Sequence, residues 1–214
     1  MNRSEAARVM DELAKLYPNA RPELNFSNPY ETLIATILSA QCTDKRVNQC
    51  TEKLFARYSD AHAMAEITPE ELEPQIKECG LFHNKAKNIV AACRALVERY
   101  DGRVPDTREE LMALPGVGQK TAGVVLMAAF GDPQIPVDTH VFRVSRRIGL
   151  ADENTPEKVE KQLRELLERE IWIYAHHLLI WHGRRVCHAQ KPDCEKCPLN
   201  NGLCGHCLEK QEKK

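Results

Sequence analysis

Residues 114–122 read LPGVGQKTA, and this stretch joins two segments with helical periodicity, 108–113 and 119–130. Its two glycines, Gly116 and Gly118, let the backbone turn tightly and approach a ligand without obstruction by a Cβ atom. The amides at the start of the second helix then point outward at its positive end, where a phosphate can bind. A plain corner between two helices, with Gly116 as the C-cap of the first, explains the same letters equally well. The stretch alone predicts a helical hairpin and leaves phosphate binding open.

Lys120 lies in the first turn of the second predicted helix, where the helix dipole disfavours its positive charge. A lysine whose amine is neutral can attack a carbonyl-like carbon. A solvated surface lysine is the plainer interpretation of this residue. Together with a phosphate-binding turn and a carboxylate supplied from elsewhere, however, the lysine indicates chemistry on a nucleic-acid backbone or sugar.

Asp138 is the candidate carboxylate, in the sequence VDTHV at 137–141 and 18 positions after Lys120. It follows Pro136 and Val137 and precedes a predicted helix, so it is well suited to be an N-cap. Capping alone is the simplest interpretation of Asp138. The capping and catalytic roles are compatible, because a capping carboxylate has a fixed position.

The apolar residues follow a helical period nearly everywhere, and no convincing pair of strands is present. The sequence therefore predicts an all-α fold. Caps and periodicity place helices near 4–17, 29–40, 44–57, 60–65, 69–78, 84–100, 108–113, 119–130, 139–148 and 156–182.

Three details of this helix assignment depend on single residues. Pro74 predicts that the 69–78 segment is split into two short pieces, and the last helix is expected to break near Glu170. Gly183 is interpreted as the stop signal of that last helix. The tail after Cys207 is expected to be disordered.

The composition is that of a globular domain or two small ones, with 214 residues of which 43% are hydrophobic. A formal net charge of −1 argues mildly against nucleic-acid binding, but a local patch matters more than the total. Arg143, Arg146 and Arg147 cluster, as do Arg184, Arg185 and Lys191, which permits one basic face. The N-terminal MNRSEAARVM lacks an apolar signal segment, and no run is long enough to span a membrane, so we expect an intracellular, cytoplasmic protein.

The nine cysteines are unevenly distributed. Four are scattered through helical patterns and are expected to be small buried hydrophobes: Cys42, Cys50, Cys79 and Cys93. The other five lie in 187–207, where Cys187, Cys194, Cys197 and Cys204 form C-x6-C-x2-C-x6-C. Such density indicates a metal site, and a single loop with one close pair suits an iron–sulfur cluster better than zinc. Cys207 is an alternative to Cys204 as the fourth ligand.

LPGVGQKTA, VDTHV and the C-x6-C-x2-C loop together resemble the endonuclease III family of helix-hairpin-helix DNA glycosylases. SAQCTD at 39–44 and GLFHNKAKNI at 80–89 also match its pattern, and the resemblance covers essentially the whole chain. It implies a base-excision repair enzyme, a bifunctional DNA N-glycosylase and abasic-site lyase. Such an enzyme releases oxidised pyrimidines from duplex DNA and cleaves the strand 3′ to the abasic site by β-elimination.

The resemblance also implies two lobes with the active site in the groove between them. One is a six-helix barrel over 22–132 that carries the helix-hairpin-helix at about 108–130. The other is formed by 1–21 and 133–214 and holds a 4Fe-4S cluster on Cys187, Cys194, Cys197 and Cys204. The expected partner is double-stranded DNA with oxidised pyrimidines or abasic sites. A nucleoid-associated monomer with no membrane attachment is expected.

The roles of individual residues are carried over by motif. Lys120 is implied to be the nucleophile, activated by Asp138. Gln41 is implied to fill the gap left by the flipped base, and Leu81 to wedge into the opposite strand. The remaining expected DNA contacts are Gly116, Val117, Gly118, His140, Arg184 and Lys191.

Two features depart from the family pattern and two alternative functions stay open. The last cysteine spacing is x6 where the family commonly has x5, and position 42 is Cys where the family usually has another small residue. A monofunctional glycosylase of the same superfamily is one alternative, and Lys120 argues against it. A non-catalytic iron–sulfur protein that binds DNA or transfers electrons is the other.

Overall fold

The computed structural model describes residues 1–212, and in that range it contains twelve α-helices, three short 3-10 helices and no β-strand. The all-α prediction is confirmed. The chain divides into two compact units, one formed by Pro22–Asp132 and one by Met1–Arg21 with the part of the chain that begins at Pro133. No described helix is both long and apolar enough to cross a membrane.

The unit formed by Pro22–Asp132 is built around one buried helix. Every residue of α2 from Leu33 to Leu38 is buried, as expected for a helix that is apolar on all sides. The helices of this unit are α2 (Pro29–Ser39), α3 (Asp44–Arg57), α4 (Ala61–Ala65), α5 (Pro69–Ile76), α6 (Phe82–Tyr100), α7 (Arg108–Met112) and α8 (Gln119–Phe130), with a 3-10 helix at Lys77–Cys79. Helix α8, which begins at the LPGVG turn, packs directly on α2.

The other unit has its own apolar core, in which helix α11 packs on both α1 and α9. Its helices are α1 (Arg3–Leu16), α9 (Thr139–Ile148), α10 (Pro156–Leu166), α11 (Trp172–Arg185) and α12 (Gly205–Glu212), with 3-10 helices at Arg169–Ile171 and Cys194–Lys196. The predicted break near Glu170 is confirmed, because the 3-10 turn at Arg169–Ile171 separates α10 from α11.

The predicted pair of short helical pieces around Pro74 is confirmed, as α5 and the 3-10 helix at Lys77–Cys79, but the change comes after Ile76 and not at Pro74, since one proline removes a single helical hydrogen bond. Two predictions near the end of the chain were wrong. Gly183 does not end α11, which continues to Arg185. Residues Gly205–Glu212 form α12 where a disordered tail was expected.

Gly183 is instead a packing residue. A Cβ atom at this position would lie 3.0 Å from His140 Nδ1 and 3.0 Å from Val144 Cγ2, both on α9. A glycine therefore suits the close approach of α9 and α11, and its place inside the last turn of α11 follows from that contact.

Candidate nucleic-acid interface and cysteine loop

The LPGVG turn is held by both backbone geometry and packing. Gly116 has φ +77°, and a Cβ atom there would lie 2.7 Å from the Cβ of Asn88 on α6. Val117 is 7% exposed and its N–H donates to the carbonyl oxygen of Leu114 at 3.2 Å. Val117 therefore anchors the turn in the unit's interior, whereas Gly116 is exposed but has no room for a Cβ atom beside Asn88.

The start of α8 has the features of an anion site. Gly118 is the N-cap, so no side chain caps the first amides of α8, and the first turn carries no acidic residue. A Cβ atom at Gly118 would meet nothing within 4 Å. An N-terminus that is approachable and lacks a capping side chain can accept a phosphate at its positive end. The C-cap of α7 is Ala113, so the expectation that Gly116 caps this helix was wrong, and Gly116 lies instead in the turn that follows.

Lys120 is the second residue of α8, and its side chain is exposed. The amine is therefore accessible to a ligand that approaches the start of this helix. Asp138 belongs to the other compact unit.

Gln41 and Leu81 share an unusual backbone conformation. Both are exposed and both lie in the left-handed region, with φ +52° and +48°. Leu81 is 54% exposed, so packing in the protein interior does not explain its conformation. A non-glycine residue in this region costs about 1–3 kcal/mol and is concentrated at functional sites. Each of the two residues projects from its own loop of the same unit.

Lys85 connects the segments that precede these two loops, and sequence reasoning missed it. It is 4% exposed, and its ammonium group donates to the carbonyl oxygens of Leu38 at 2.9 Å and Cys79 at 2.7 Å. Leu38 lies three residues before Gln41, and Cys79 lies two before Leu81. The available signal was the position of Lys85 on the apolar face of α6, where a lysine needs buried partners.

Three thiols lie around this lysine. Cys79 is hydrogen-bonded to both Cys50 and Cys42. Burial raises the pKa of Cys42, and the hydrogen bond with Cys50 raises that of Cys79. Cys50, Cys79 and Cys93 are buried as predicted, whereas Cys42 is only half-buried, because it lies in the loop after α2.

Asp138 caps α9, as its sequence position predicts. Its Oδ1 atom accepts hydrogen bonds of 2.8 Å from the backbone N–H groups of both His140 and Val141. The side chain is half-buried. The capping bonds both end on one carboxylate oxygen, so the orientation of the carboxylate is fixed from one side.

His140 is half-buried in the contact between α9 and α11. Its Nδ1 lies 3.2 Å from an Arg143 guanidinium nitrogen, and burial is the main cause that lowers its pKa. Arg184 is half-buried and Lys191 is exposed, with φ +48° at Lys191.

The five C-terminal cysteines surround one small space. Together with His182 and Arg147, these five side chains line it: Cys187, Cys194, Cys197, Cys204 and Cys207. Cys204 and Cys207 are buried, and the other three are half-buried. In the described part of the chain, no three His, Cys, Asp or Glu side chains are already gathered around a single ion position. Thiolates around one cavity are the donor set that an iron–sulfur cluster requires.

Two arginines of α9 hold the cysteine loop in place. Arg147 donates to the carbonyl oxygens of His188 at 2.6 Å and Ala189 at 2.9 Å. Arg143 donates to the carbonyl oxygens of Cys187 at 3.2 Å and Gly183 at 2.9 Å. The clustering of these two arginines with Arg146 permitted a basic face, but their guanidinium groups bind backbone carbonyl oxygens of the loop and of Gly183.

Comparison with known proteins identifies the group to which these features belong. Residues 34–169 match the model of the HhH-GPD superfamily base excision DNA repair proteins. Endonuclease III of Rickettsia conorii is 47% identical over 192 residues, which cover 90% of this chain and 91% of that protein.

Two solved structures show the same fold over the full length. A non-covalent endonuclease III–DNA complex is 46% identical, with a TM-score of 0.94 and 100% of both chains covered. A trapped covalent endonuclease III–DNA intermediate is 45% identical, with a TM-score of 0.93 and 99% of both chains covered. The helical hairpin at 114–118, its adjoining lysine and the match over 34–169 together show that this chain belongs to the HhH-GPD superfamily of base excision DNA repair proteins.

Proposed function

We propose that the protein removes oxidised pyrimidines from double-stranded DNA and then cleaves the strand 3′ to the resulting abasic site. The observation that carries this proposal is Lys120, an exposed lysine in the first turn of a helix whose start lacks a capping side chain. The likeness to a trapped covalent endonuclease III–DNA intermediate supports a covalent mechanism of this kind. The enzyme is accordingly a bifunctional DNA glycosylase and abasic-site lyase.

Lys120 supplies the nucleophile in this proposal. The damaged nucleoside leaves the base stack, and the lysine nitrogen forms a bond to C1′ as the bond from C1′ to the base breaks. The sugar ring opens to a Schiff base, which acidifies the C2′ proton. Loss of this proton and departure of the 3′ phosphate complete the β-elimination, and water then releases the lysine.

Asp138 supplies the carboxylate. It accepts the proton that the lysine must lose before attack, and its negative charge stabilises the cation-like sugar. Its use as the α9 cap supports the assignment, because the cap occupies Oδ1 and holds the group in one orientation. The same residue thus accepts the hydrogen bonds of the first amides of α9 and presents a carboxylate charge in a fixed position.

We assign the DNA contacts to two exposed loop residues, the hairpin and three further residues. Gln41 and Leu81 are exposed and enter the duplex. Gln41 fills the gap left by the flipped base, and Leu81 wedges into the opposite strand. The hairpin residues Gly116, Val117 and Gly118 bind phosphate at the start of α8. The remaining phosphate contacts are His140, Arg184 and Lys191, which position the protein and read no sequence.

We further propose that Cys187, Cys194, Cys197 and Cys204 hold a 4Fe-4S cluster. The thiols that line this small space are the donors that such a group requires. When bound, the cluster supplies a structural core for the loop that carries Lys191. In this assignment 22–132 is the six-helix barrel lobe, and 1–21 with 133–214 is the cluster lobe. The protein acts as a monomer in the cell interior, at the nucleoid.

Borohydride trapping on duplexes containing thymine glycol or an abasic site tests the proposal. We expect a covalent protein–DNA adduct and strand cleavage with the wild type and with the matched control Lys87→Ala, and neither with Lys120→Ala. Base release without an adduct would assign a monofunctional glycosylase instead. DNA binding with no base release and no cleavage would reject an enzymatic function.

A further inference from the structure

A buried hydrogen-bonded chain links the end of α1 to the cysteine loop. The Tyr17 hydroxyl lies 3.2 Å from His182 Nδ1, and His182 Nε2 lies 3.5 Å from the Cys197 sulfur. His182 is 1% exposed and Tyr17 is 6% exposed. All three residues belong to the unit that carries the cysteine loop. The chain therefore runs through the protein interior and ends on one of the proposed cluster ligands.

Ligation of the cluster fixes the direction of this chain. A cysteine that binds iron is a thiolate and has no proton to donate. The hydrogen between Cys197 and His182 must therefore reside on Nε2 of the imidazole. A neutral imidazole has one N–H, so its Nδ1 is an acceptor, and the Tyr17 hydroxyl must donate to it.

The surroundings hold the ring in the orientation that this chain requires. Tyr17 makes edge-on contacts with the rings of His182 and Trp181, each at a centroid distance of 6.0 Å. The Tyr174 hydroxyl donates to the backbone carbonyl of Tyr17 at 3.3 Å. The imidazole is thus positioned by packing as well as by its two hydrogen bonds.

We propose that His182, oriented by Tyr17, is a positioning residue that donates its Nε2–H to the Cys197 sulfur and raises the reduction potential of the cluster. This inference rests on the proposed cofactor. A hydrogen bond to a cluster sulfur stabilises the more negative, reduced state and is one of the means by which proteins tune such clusters.

Two other donors approach ligand sulfurs, so the contribution of His182 is partial. The backbone amide of Leu199 hydrogen-bonds to Cys197, and Arg147 lies 3.6 Å from the Cys187 sulfur. Neither contact depends on Tyr17 or His182. We expect that removal of the imidazole shifts the potential without abolishing the cluster.

The test is the midpoint potential of the cluster in His182→Leu, His182→Gln and Tyr17→Phe. His182→Leu should make the reduction equilibrium about tenfold less favourable, as for the loss of one charge-assisted hydrogen bond. A tenfold change is about 59 mV for a one-electron couple. His182→Gln, which keeps an N–H donor, should stay near the wild type. Tyr17→Phe should shift the potential in the same direction but by less.

A direct readout and a control complete the design. Electron–nuclear double resonance on protein with ¹⁵N-labelled histidine should show a nitrogen coupled to the reduced cluster, and His182→Leu should lack it. His177→Leu, a buried histidine of the same helix that does not line the cysteine cavity, should change neither measurement. If His182→Leu does not take up iron, the midpoint potential and nitrogen coupling of His182→Gln and Tyr17→Phe test the proposal instead.

Two different failures can be told apart. Wild-type protein without iron would reject the proposed cofactor and this inference with it. A normal cluster whose potential and nitrogen coupling are unchanged in His182→Leu, or in Tyr17→Phe and His182→Gln together, would overturn the role of His182 alone.

Discussion

Lys85 donates a 2.7 Å hydrogen bond from its ammonium group to the backbone carbonyl oxygen of Cys79, and the same nitrogen donates to Leu38 at 2.9 Å. These two carbonyl groups belong to the ends of two helical segments, α2 and the 3-10 helix at Lys77–Cys79. The last carbonyl groups of a helix lack partners within it, and a cation there is favoured by the helix dipole. One buried lysine therefore supplies hydrogen-bond donors to the carbonyl groups at both helix ends, and it joins the segments that lead to Gln41 and Leu81.

Lys85→Met should lower the free energy of unfolding by about 3 kcal/mol, because two buried carbonyl groups lose a charged donor. Chemical denaturation measures this change as a shift in the midpoint. Lys87→Met is the matched control, since Lys87 lies on the exposed face of the same helix. Equal midpoints for the two variants would show that Lys85 does not stabilise the ends of these helices.

The same lysine predicts a pH dependence. Burial lowers the pKa of Lys85 below its usual 10.5. Between the lowered folded-state pKa and 10.5, the unfolded chain binds more protons than the folded protein, so stability rises with pH across this window. The difference in unfolding free energy between wild type and Lys85→Met should therefore grow as pH is raised toward 10.5. A difference that falls or stays constant would contradict the lowered pKa.

Gly116 and Gly118 should respond differently to alanine. Gly116→Ala places a side chain at φ +77° and a Cβ atom 2.7 Å from Asn88 Cβ, so we expect a loss of about 2 kcal/mol or more. Gly118→Ala meets open space at φ −93° and should cost about 0.5–1 kcal/mol, because alanine is the poorer N-cap. Thermal or chemical unfolding measures both. A larger loss in Gly118→Ala would reverse the assignment of the corner to Gly116.

Helix positions were predictable because their start signals are local. Asn28 accepts a hydrogen bond from the Glu31 amide, and Thr68 forms a reciprocal capping box with Glu71. A side chain that satisfies an amide three residues ahead acts within one helical turn, so a short window of sequence contains the information. The cap role of Asp138 was predictable for the same reason.

Residues whose partners are distant in sequence were misinterpreted or missed. Gly183 was interpreted as a helix stop because the residues that require a glycine there, His140 and Val144, lie about forty positions away in the chain. Arg147 was interpreted as a surface charge because its hydrogen-bond acceptors, the carbonyl oxygens of His188 and Ala189, lie in a loop that is distant in sequence. Long-range pairs of this kind are set by tertiary packing, which periodicity does not encode.

Asp138→Asn separates the cap of α9 from the carboxylate charge. Asparagine keeps an oxygen that accepts from the His140 and Val141 amides, so stability should change by only a few tenths of a kcal/mol. Base release should fall by at least about a hundredfold, in the range of a lost catalytic proton acceptor, while DNA binding is kept. Single-turnover release of thymine glycol and a binding titration measure the two effects.

Asp138→Ala is the companion variant, because it removes the cap as well as the charge. It should cost about 1 kcal/mol of stability and be no more active than Asp138→Asn. Base release by Asp138→Asn at the wild-type rate would leave the residue with its capping role only.

Cys204 and Cys207 should differ in their effect on iron content, which the x6 spacing left undecided. Both cysteines line the same space, but Cys204 precedes α12 whereas Cys207 lies within that helix. The thiol of Cys204 also lies 3.4 Å from the Arg147 carbonyl oxygen, before α12 begins. Cys204→Ser should therefore lose most of the iron and visible absorbance, and Cys207→Ser should retain about four irons per chain. Iron retained in Cys204→Ser and lost in Cys207→Ser would make Cys207 the fourth ligand in place of Cys204.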